Sequence, residues 1–319
     1  MKDYSIPLKL IEILSDGEFH SGANFGKSLG MSRAAINKHI QTLKSWGLDI
    51  YTVTGKGYSL PAPLQLLDKK KILSQLKEPN LDVIPIIDST NQYLLNRISE
   101  LQSGATCIAE YQQAGRGRRG RRWFSPFGAN LYVSTYWCLE QGPAAAIGVS
   151  LVIGIVMAEI LHQFGVQDVR VKWPNDLYLH DRKLAGILVE LIGKIGDAAQ
   201  IVIGAGINLA MYSTNTEQIN QKWIDLQEAG IVVNRNDLAA KLINSLRAAL
   251  LVFERDGLVP FTERWRQLDN FINRPVKLLI GNQEINGIAR GIDKQGGLVL
   301  EQNGELKSWL GGEISLRSQ

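Results

Sequence analysis

The densest chemistry in this 319-residue chain is one stretch, Gly115-Arg116-Gly117-Arg118-Arg119-Gly120-Arg121-Arg122-Trp123. It has five arginines, three glycines and no acid. Guanidiniums in such a loop can pair with phosphate or carboxylate, and the glycines let the backbone come close to a ligand. The spacing also satisfies G-x-G-x-x-G, but Trp123-Phe124-Ser125-Pro126-Phe127-Gly128 puts Pro and Gly where the dinucleotide fold needs a helix to begin. No P-loop occurs either. An anion-binding arginine loop stands level, on this stretch alone, with a plain solvated basic loop or an arginine-glycine segment that grips RNA.

Other polar groups break otherwise apolar patterns. Lys172, Asn175 and Asp176 interrupt a run of strands, and Lys183 precedes the apolar run from Leu184. Gly186, Gly204 and Gly206 lie inside strand patterns, where glycine weakens a strand unless something approaches its backbone. Three together suggest a sheet face left bare for a flat or narrow ligand, against the plainer reading of three bulges. Asp88-Ser89-Thr90-Asn91 closes a strand and opens a helix, so these side chains are caps or ligand contacts. Trp123 and Trp223 end two loops and can stack on a base or anchor the core.

The elements that must position these groups follow from periodicity. Ile6, Leu10, Ile13 and Leu14 predict a first helix, and Ser21-Gly22 to Leu29-Gly30 a second. Ser32 caps a third over Arg33–Trp46, with Gly47 just beyond. A hairpin, 50–53 with 58–60, turns at Thr54-Gly55-Lys56-Gly57. This is a winged helix-turn-helix, and Ser32, Arg33, Ala34, Asn37 and Lys38 on the third helix with Lys56 on the wing are its candidate DNA contacts. Residues 21–60 carry Lys27, Arg33, Lys38, Lys44 and Lys56 against Asp49 alone, which favours DNA over a helical protein-interaction module. Pro61-Ala62-Pro63 reads as a semi-rigid linker. A central α+β domain follows, with a mixed or antiparallel sheet, helices on one side, an apolar helix from Pro143, and helices over 236–253 and 259–268. The polar stretch from Tyr212 to Lys222 is expected to be mobile without ligand. Strands over 275–280, 284–292, 298–301 and 306–310 form a small C-terminal barrel or sandwich without visible chemistry. The expected domains are 1–64, 65–270 and 271–319.

The bulk numbers exclude several classes. Two cysteines and four histidines make neither a disulfide framework nor a metal set, so no fixed metal site is expected. The uncharged run from Ala144 to Ala158 is shorter than a bilayer span, and the N-terminus lacks an apolar signal segment. A cytoplasmic protein without a membrane partner is the expectation.

The arginine loop, Lys172-Trp173-Pro174-Asn175-Asp176-Leu177, Lys183-Leu184-Ala185-Gly186-Ile187-Leu188-Val189-Glu190 and Gly204-Ala205-Gly206-Ile207-Asn208 together resemble, in order and spacing, the motifs of biotin–protein ligases. With the winged helix the whole chain looks like the bacterial bifunctional ligase–repressors of that family. The resemblance implies a ligase domain related to class II synthetase-like folds and an SH3-like C-terminal barrel. It implies ATP with Mg²⁺ and biotin as substrates, a biotinyl-5′-adenylate intermediate, and transfer to a lysine of the biotin carboxyl carrier protein. Arg116, Arg118, Arg121, Lys183 and Asp176 are then the catalytic candidates. Ser89, Thr90, Asn91, Gln112, Gly115, Gly117, Gly186, Gly204 and Gly206 would join Arg116, Arg118 and Lys183 around biotin. Trp123, Lys172, Asn175, Asn208 and Trp223 would hold the adenylate. The same resemblance implies operator DNA as a partner and a homodimer when adenylate is bound, with the strand ends near Gln141–Ala145 and the Gly193–Ala198 turn as candidate contacts. A lipoate-type ligase on the same scaffold, a non-catalytic ligand-sensing transcription factor and an RNA-binding protein remain alternatives.

Overall fold

A computed structural model describes residues 3–318 except 141, 144–145, 194–197, 212–218, 220, 282 and 311–313. The N-terminal unit contains helices α1 (Ser5–Leu14), α2 (Gly22–Leu29) and α3 (Arg33–Ser45), then a wing of β1 (Tyr51–Val53) and β2 (Gly57–Ser59). Ser21 and Ser32 each accept a backbone N–H at their helix start, from Asn24 and Ala35, and left-handed Gly30 ends α2. Leu10, Ile11, Leu14, Phe25, Ile36, Ile40 and Leu43 bury its core.

That core does not stop at the domain edge. Trp46, just past α3, stacks against Tyr111 and Phe127 of the central domain with ring centroids 5.7 and 5.9 Å apart. Phe127 N–H donates to the Trp46 carbonyl, and a Cβ on Gly47 would lie 2.6 Å from Pro126. The expected spacer is also packed: Leu64 N–H donates to the Ser15 carbonyl, and Gly17 rests on Ala62 and Pro63. Proline content set the linker's stiffness but not what it leans on.

The central sheet has seven strands in the order β3 (Leu81–Ile87), β4 (Thr106–Gln112), β5 (Asn130–Leu139), β9 (Ala199–Asn208), β8 (Arg182–Ile192), β7 (Asp176–Leu179), β6 (Arg170–Lys172). Only β3 and β4 run parallel, so the sheet is mixed. Pro85 is tolerated because β3 is an edge strand. Alternation divides the faces. Leu131, Val133, Ile187, Ile203, Ala205 and Ile207 turn to a core shared with α6 (Ala146–Gln163), α7 (Arg235–Asp256) and α8 (Thr262–Leu268). On the opposite face α5 (Thr90–Leu95) covers Cys107, Tyr136 and Val202. The expectation of helices on one side is corrected here, because Leu94 needs its own apolar cover. A short helix α4 (Lys69–Leu73) packs on α7 and β3.

The C-terminal unit is a five-stranded antiparallel sheet, not four strands. Its order is β13 (Glu305–Trp309), β12 (Leu298–Gln302), β11 (Gln283–Ile292), β10 (Pro275–Ile280), β14 (Ile314–Ser318). It is not an isolated module. Trp173 Nε1 donates to the Gly296 carbonyl, Asn270 N–H to the Val171 carbonyl, and Arg274 pairs with Asp181 at 2.8 Å.

Candidate functional site

The uncovered part of the sheet's second face is where the glycines lie. Register sets Tyr132, Gly206, Gly186 and Asp176 in one row across β5, β9, β8 and β7. The next row holds Ser134, Gly204 and Leu188. A cleft of about 1110 Å³ opens over these rows, roofed by the arginine loop.

Protein groups already touch the bare floor. A Cβ on Gly206 would lie 2.5 Å from the Trp123 indole, and one on Gly186 2.9 Å from it. A Cβ on Gly204 would lie 2.3 Å from Asn91 Oδ1. The glycines were expected to leave room for a ligand; the groups that approach them here are Trp123 and Asn91. The Trp123 indole N–H is buried and has no hydrogen-bond partner among the described residues. A buried donor of this kind is satisfied by an ordered water or by an acceptor on a ligand.

One end of the cleft is lined by buried hydroxyls and amides. Ser89, Thr90, Asn91, Gln112 and Ser134 are all buried. Gln112 Oε1 accepts from Thr90 N–H at 3.0 Å, and Gln112 Nε2 donates to Ser125 Oγ at 3.0 Å. Ser134 Oγ donates to Asn91 Oδ1 at 2.5 Å and lies 2.7 Å from Thr90 Oγ1. Ser89 caps α5, so for it the capping reading holds. Sequence reasoning missed Ser134. Its signal was the alternation Tyr132, Ser134, Tyr136, which sets a hydroxyl on the glycine face.

The other end is charged. Lys183 Nζ lies 2.9 Å from Asp176 Oδ1, with both side chains under a fifth exposed, and 5.5 Å from the Trp123 ring centroid. Arg118 Nη1 donates to Asn175 Oδ1 at 2.7 Å, and Asn175 Nδ2 to the Ile187 carbonyl at 2.7 Å. Burial pulls the Arg118 guanidinium below its ordinary range, partly offset by Asp176. A guanidinium stays protonated in proteins, so Arg118 offers a desolvated cation. Lys172 Nζ donates to Tyr178 Oη at 2.8 Å and sits 4.6 Å over that ring. Burial, then Asp176 and Asp181, push the Tyr178 hydroxyl well above its usual range.

The structure does not gather every candidate. Arg116 turns away from the Lys183 cluster, because Glu190 and Gln92 hold its guanidinium at 2.6 Å each. Arg121 is exposed at the rim. Asn208 spends its amide on the carbonyls of Ile224 and Lys183, so it positions the segment that carries Trp223. Trp223 lines the cleft and bridges to Lys183. Gly115 is packed against Ser125 and Trp123, while Gly117 N–H closes the loop on the Arg121 carbonyl. The polar stretch expected to be mobile falls mostly outside the described residues, as do 141, 144–145 and 194–197 of the expected dimer contacts.

In the N-terminal unit, Ser32, Arg33, Ala34, Asn37 and Lys38 are exposed on α3, and Lys56 at the wing tip lies 5.7 Å over the Phe19 ring. Ser32 is committed to capping. Among the described residues no cluster of three His, Cys, Asp or Glu has metal-site geometry, and no helix is long and apolar enough to cross a membrane.

A neutral recognition end, a glycine floor and two partly buried cations form a site for a long ligand with a polar head and an anionic tail. Residues 83–208 match the biotin/lipoate A/B protein ligase family, 271–317 the biotin protein ligase C-terminal domain, and 8–59 a helix-turn-helix domain. The bifunctional ligase/repressor BirA proteins of Salmonella typhimurium and Escherichia coli are each 71% identical over 318 residues, covering 100% of this chain and 99% of theirs. The chain belongs to the biotin protein ligase family. The ligase also resembles the solved biotin protein ligase of Aquifex aeolicus in complex with biotin and ATP, at 28% identity and TM-score 0.67, over 75% of this chain and 99% of that one.

Proposed function

We propose that this protein is a biotin–protein ligase that also represses transcription as a DNA-binding protein. Biotin and ATP, with Mg²⁺ accompanying the nucleotide, are its substrates. The observation that carries the reading is the cleft's polarity: a buried hydroxyl–amide chain at one end, and Arg118 and Lys183 at the other.

A ureido group is neutral and can both donate and accept, which suits Thr90, Asn91, Gln112 and Ser134. The acyl chain then runs over Gly204, Gly206 and Gly186, and its carboxylate reaches the cations. A carboxylate oxygen attacks the α-phosphorus of ATP, and pyrophosphate leaves with the electrons of the broken P–O bond. Negative charge grows on the phosphoryl oxygens, and fixed guanidinium and ammonium groups stabilise it there without reorganisation. The product is biotinyl-5′-adenylate. A carrier-protein lysine amine then attacks the acyl carbon, loses its proton and expels AMP. Asp176 sits on the sheet row beside Gly186, next to Lys183, where it can orient the incoming amine and take up its proton. Trp123 and Trp223 cover the adenylate, and Lys172, Asn175 and Asn208 hold or position that end.

The winged helix presents Arg33, Ala34, Asn37, Lys38 and Lys56 to operator DNA, and adenylate binding promotes a side-by-side homodimer that spans two half-sites. Support for the dimer comes from β8: its ladder with β7 ends at Gly186, and Leu191 and Ile192 are exposed beyond it. We assign residues 1–64, 65–270 and 271–319 as the DNA-binding, catalytic and C-terminal domains, and place the protein in the cytoplasm. Biotin-dependent ATP–pyrophosphate exchange tests the ligase step. Exchange with lipoate in place of biotin would point to the sister chemistry instead. Sedimentation that adenylate leaves unchanged at micromolar protein would contradict the dimer.

A further inference from the structure

Glu190 on β8 does more than hold Arg116, because its two oxygens join the arginine loop to α5. Oε1 lies 2.6 Å from Arg116 Nη2, on the roof. Oε2 accepts from Asn91 Nδ2 of α5 at 2.9 Å, at the polar end. Arg116 Nη1 also donates to Gln92 Oε1 on α5 at 2.6 Å, so the guanidinium bridges α5 and β8. Glu190 is the more protected partner, with its side chain 18% exposed against 41% for Arg116. A charge-assisted contact in partly excluded surroundings is stronger than an open surface pair.

The carboxylate also orients Asn91. With Nδ2 facing Glu190, the Asn91 Oδ1 is left toward Ser134 and over Gly204. One side chain therefore sets an amide at the recognition end and anchors the loop that covers the reacting end.

We propose that Glu190 is a positioning residue, a latch that keeps the arginine loop closed on the acyl-adenylate between activation and transfer. This rests on the ligase reading above. Its consequence is retention: the reactive mixed anhydride stays bound because Arg116 must leave Glu190 before the loop can open. Glu190→Gln tests this selectively. The amide keeps one oxygen for Asn91 Nδ2 but turns an NH₂ toward Arg116, where donor meets donor.

The full-length chain is charged with labelled biotin and ATP, desalted and chased with unlabelled biotin and ATP. In Glu190→Gln, the first-turnover yield of adenylate and the thermal midpoint should match the parent. Loss of label should be about tenfold faster, the factor a single charge-assisted contact supports. Arg116→Met should speed the loss similarly, and the double variant should be no faster than either single one. This non-additivity is something a generally loosened fold would not give. A Glu190→Gln chain that holds label as long as the parent overturns the latch alone, as does full additivity with Arg116→Met. A parent chain that never charges overturns the ligase reading, and the latch with it.

Discussion

Lys183 is the cation whose position the sheet fixes most tightly. Its backbone pairs with the 222–224 segment on one side, and its ammonium is held against Asp176 at 2.9 Å beside the Trp123 ring. Removing one preorganised donor to developing charge costs about 10²–10³ in rate. Lys183→Met should therefore lower biotin-dependent pyrophosphate exchange by about that factor while circular dichroism shows the fold retained. The glycine floor gives a steric test. In Gly204→Ala the new methyl would sit 2.3 Å from Asn91 Oδ1, so Asn91 must leave Ser134 or the strand must shift. Biotin KM should rise about tenfold or more, as expected when a buried polar partner is lost at a recognition end, with kcat less affected. Much of this scale was legible in the sequence. Glycines inside strands and lysines at strand ends are anomalies that local pattern rules expose. What was not legible is direction. Arg116 and Arg118 are two residues apart in one loop, yet one faces Glu190 and the other Asn175. Only the position of β8 relative to the β6–β7 turn decides that, and no periodicity encodes it.

The elements couple at the end of the recognition helix. Trp46, 5% exposed, stacks on Tyr111 of β4 and on Phe127, four residues beyond the end of the arginine loop. Gln113, at the start of that loop, donates to the Tyr4 hydroxyl at 3.0 Å. Both ends of the loop are thus moored to the N-terminal unit. Trp46→Ala removes the largest side chain of this junction and should destabilise it by about 3–5 kcal/mol, the usual cost of emptying a buried tryptophan site. Urea unfolding should then become biphasic, with the 1–64 region opening first, and proteolysis should nick near Pro61–Pro63. A single cooperative transition at the parent midpoint would contradict the junction's importance. Helical spacing predicted that Trp46 ends a helix. It could not say that the ring crosses into another domain, because amphipathicity identifies a buried face without its partner.

On the scale of the whole molecule, the C-terminal sheet helps shape the site through the segment that joins it to α8. Asp269 lies there, nearly buried, accepting from Phe271 N–H at 2.9 Å and Trp265 Nε1 at 3.2 Å. Burial pushes its carboxyl from about 3.8 up to about 6, against the lowering effect of those two hydrogen bonds. The folded chain therefore holds this proton more tightly than the unfolded chain between those values. The contribution of this group to stability is largest below about pH 4, falls as pH rises through about 6 and is level above. Asp269→Asn should remove that slope, so the gap between variant and parent unfolding free energies should change by on the order of 2–3 kcal/mol between pH 4 and 7. Urea titrations at the two pH values measure it, and a constant gap would contradict the shift. Phe271, two residues on, lines the cleft, so this segment links C-terminal packing to the site. The central claim, that the cleft activates biotin and passes it to a carrier lysine, is tested most directly by incubating the protein with biotin, ATP–Mg²⁺ and a biotin carrier domain and weighing the carrier. A single biotinyl addition on one lysine, dependent on ATP and abolished in Lys183→Met, is the expected result; a carrier left unmodified by the parent protein would contradict the account.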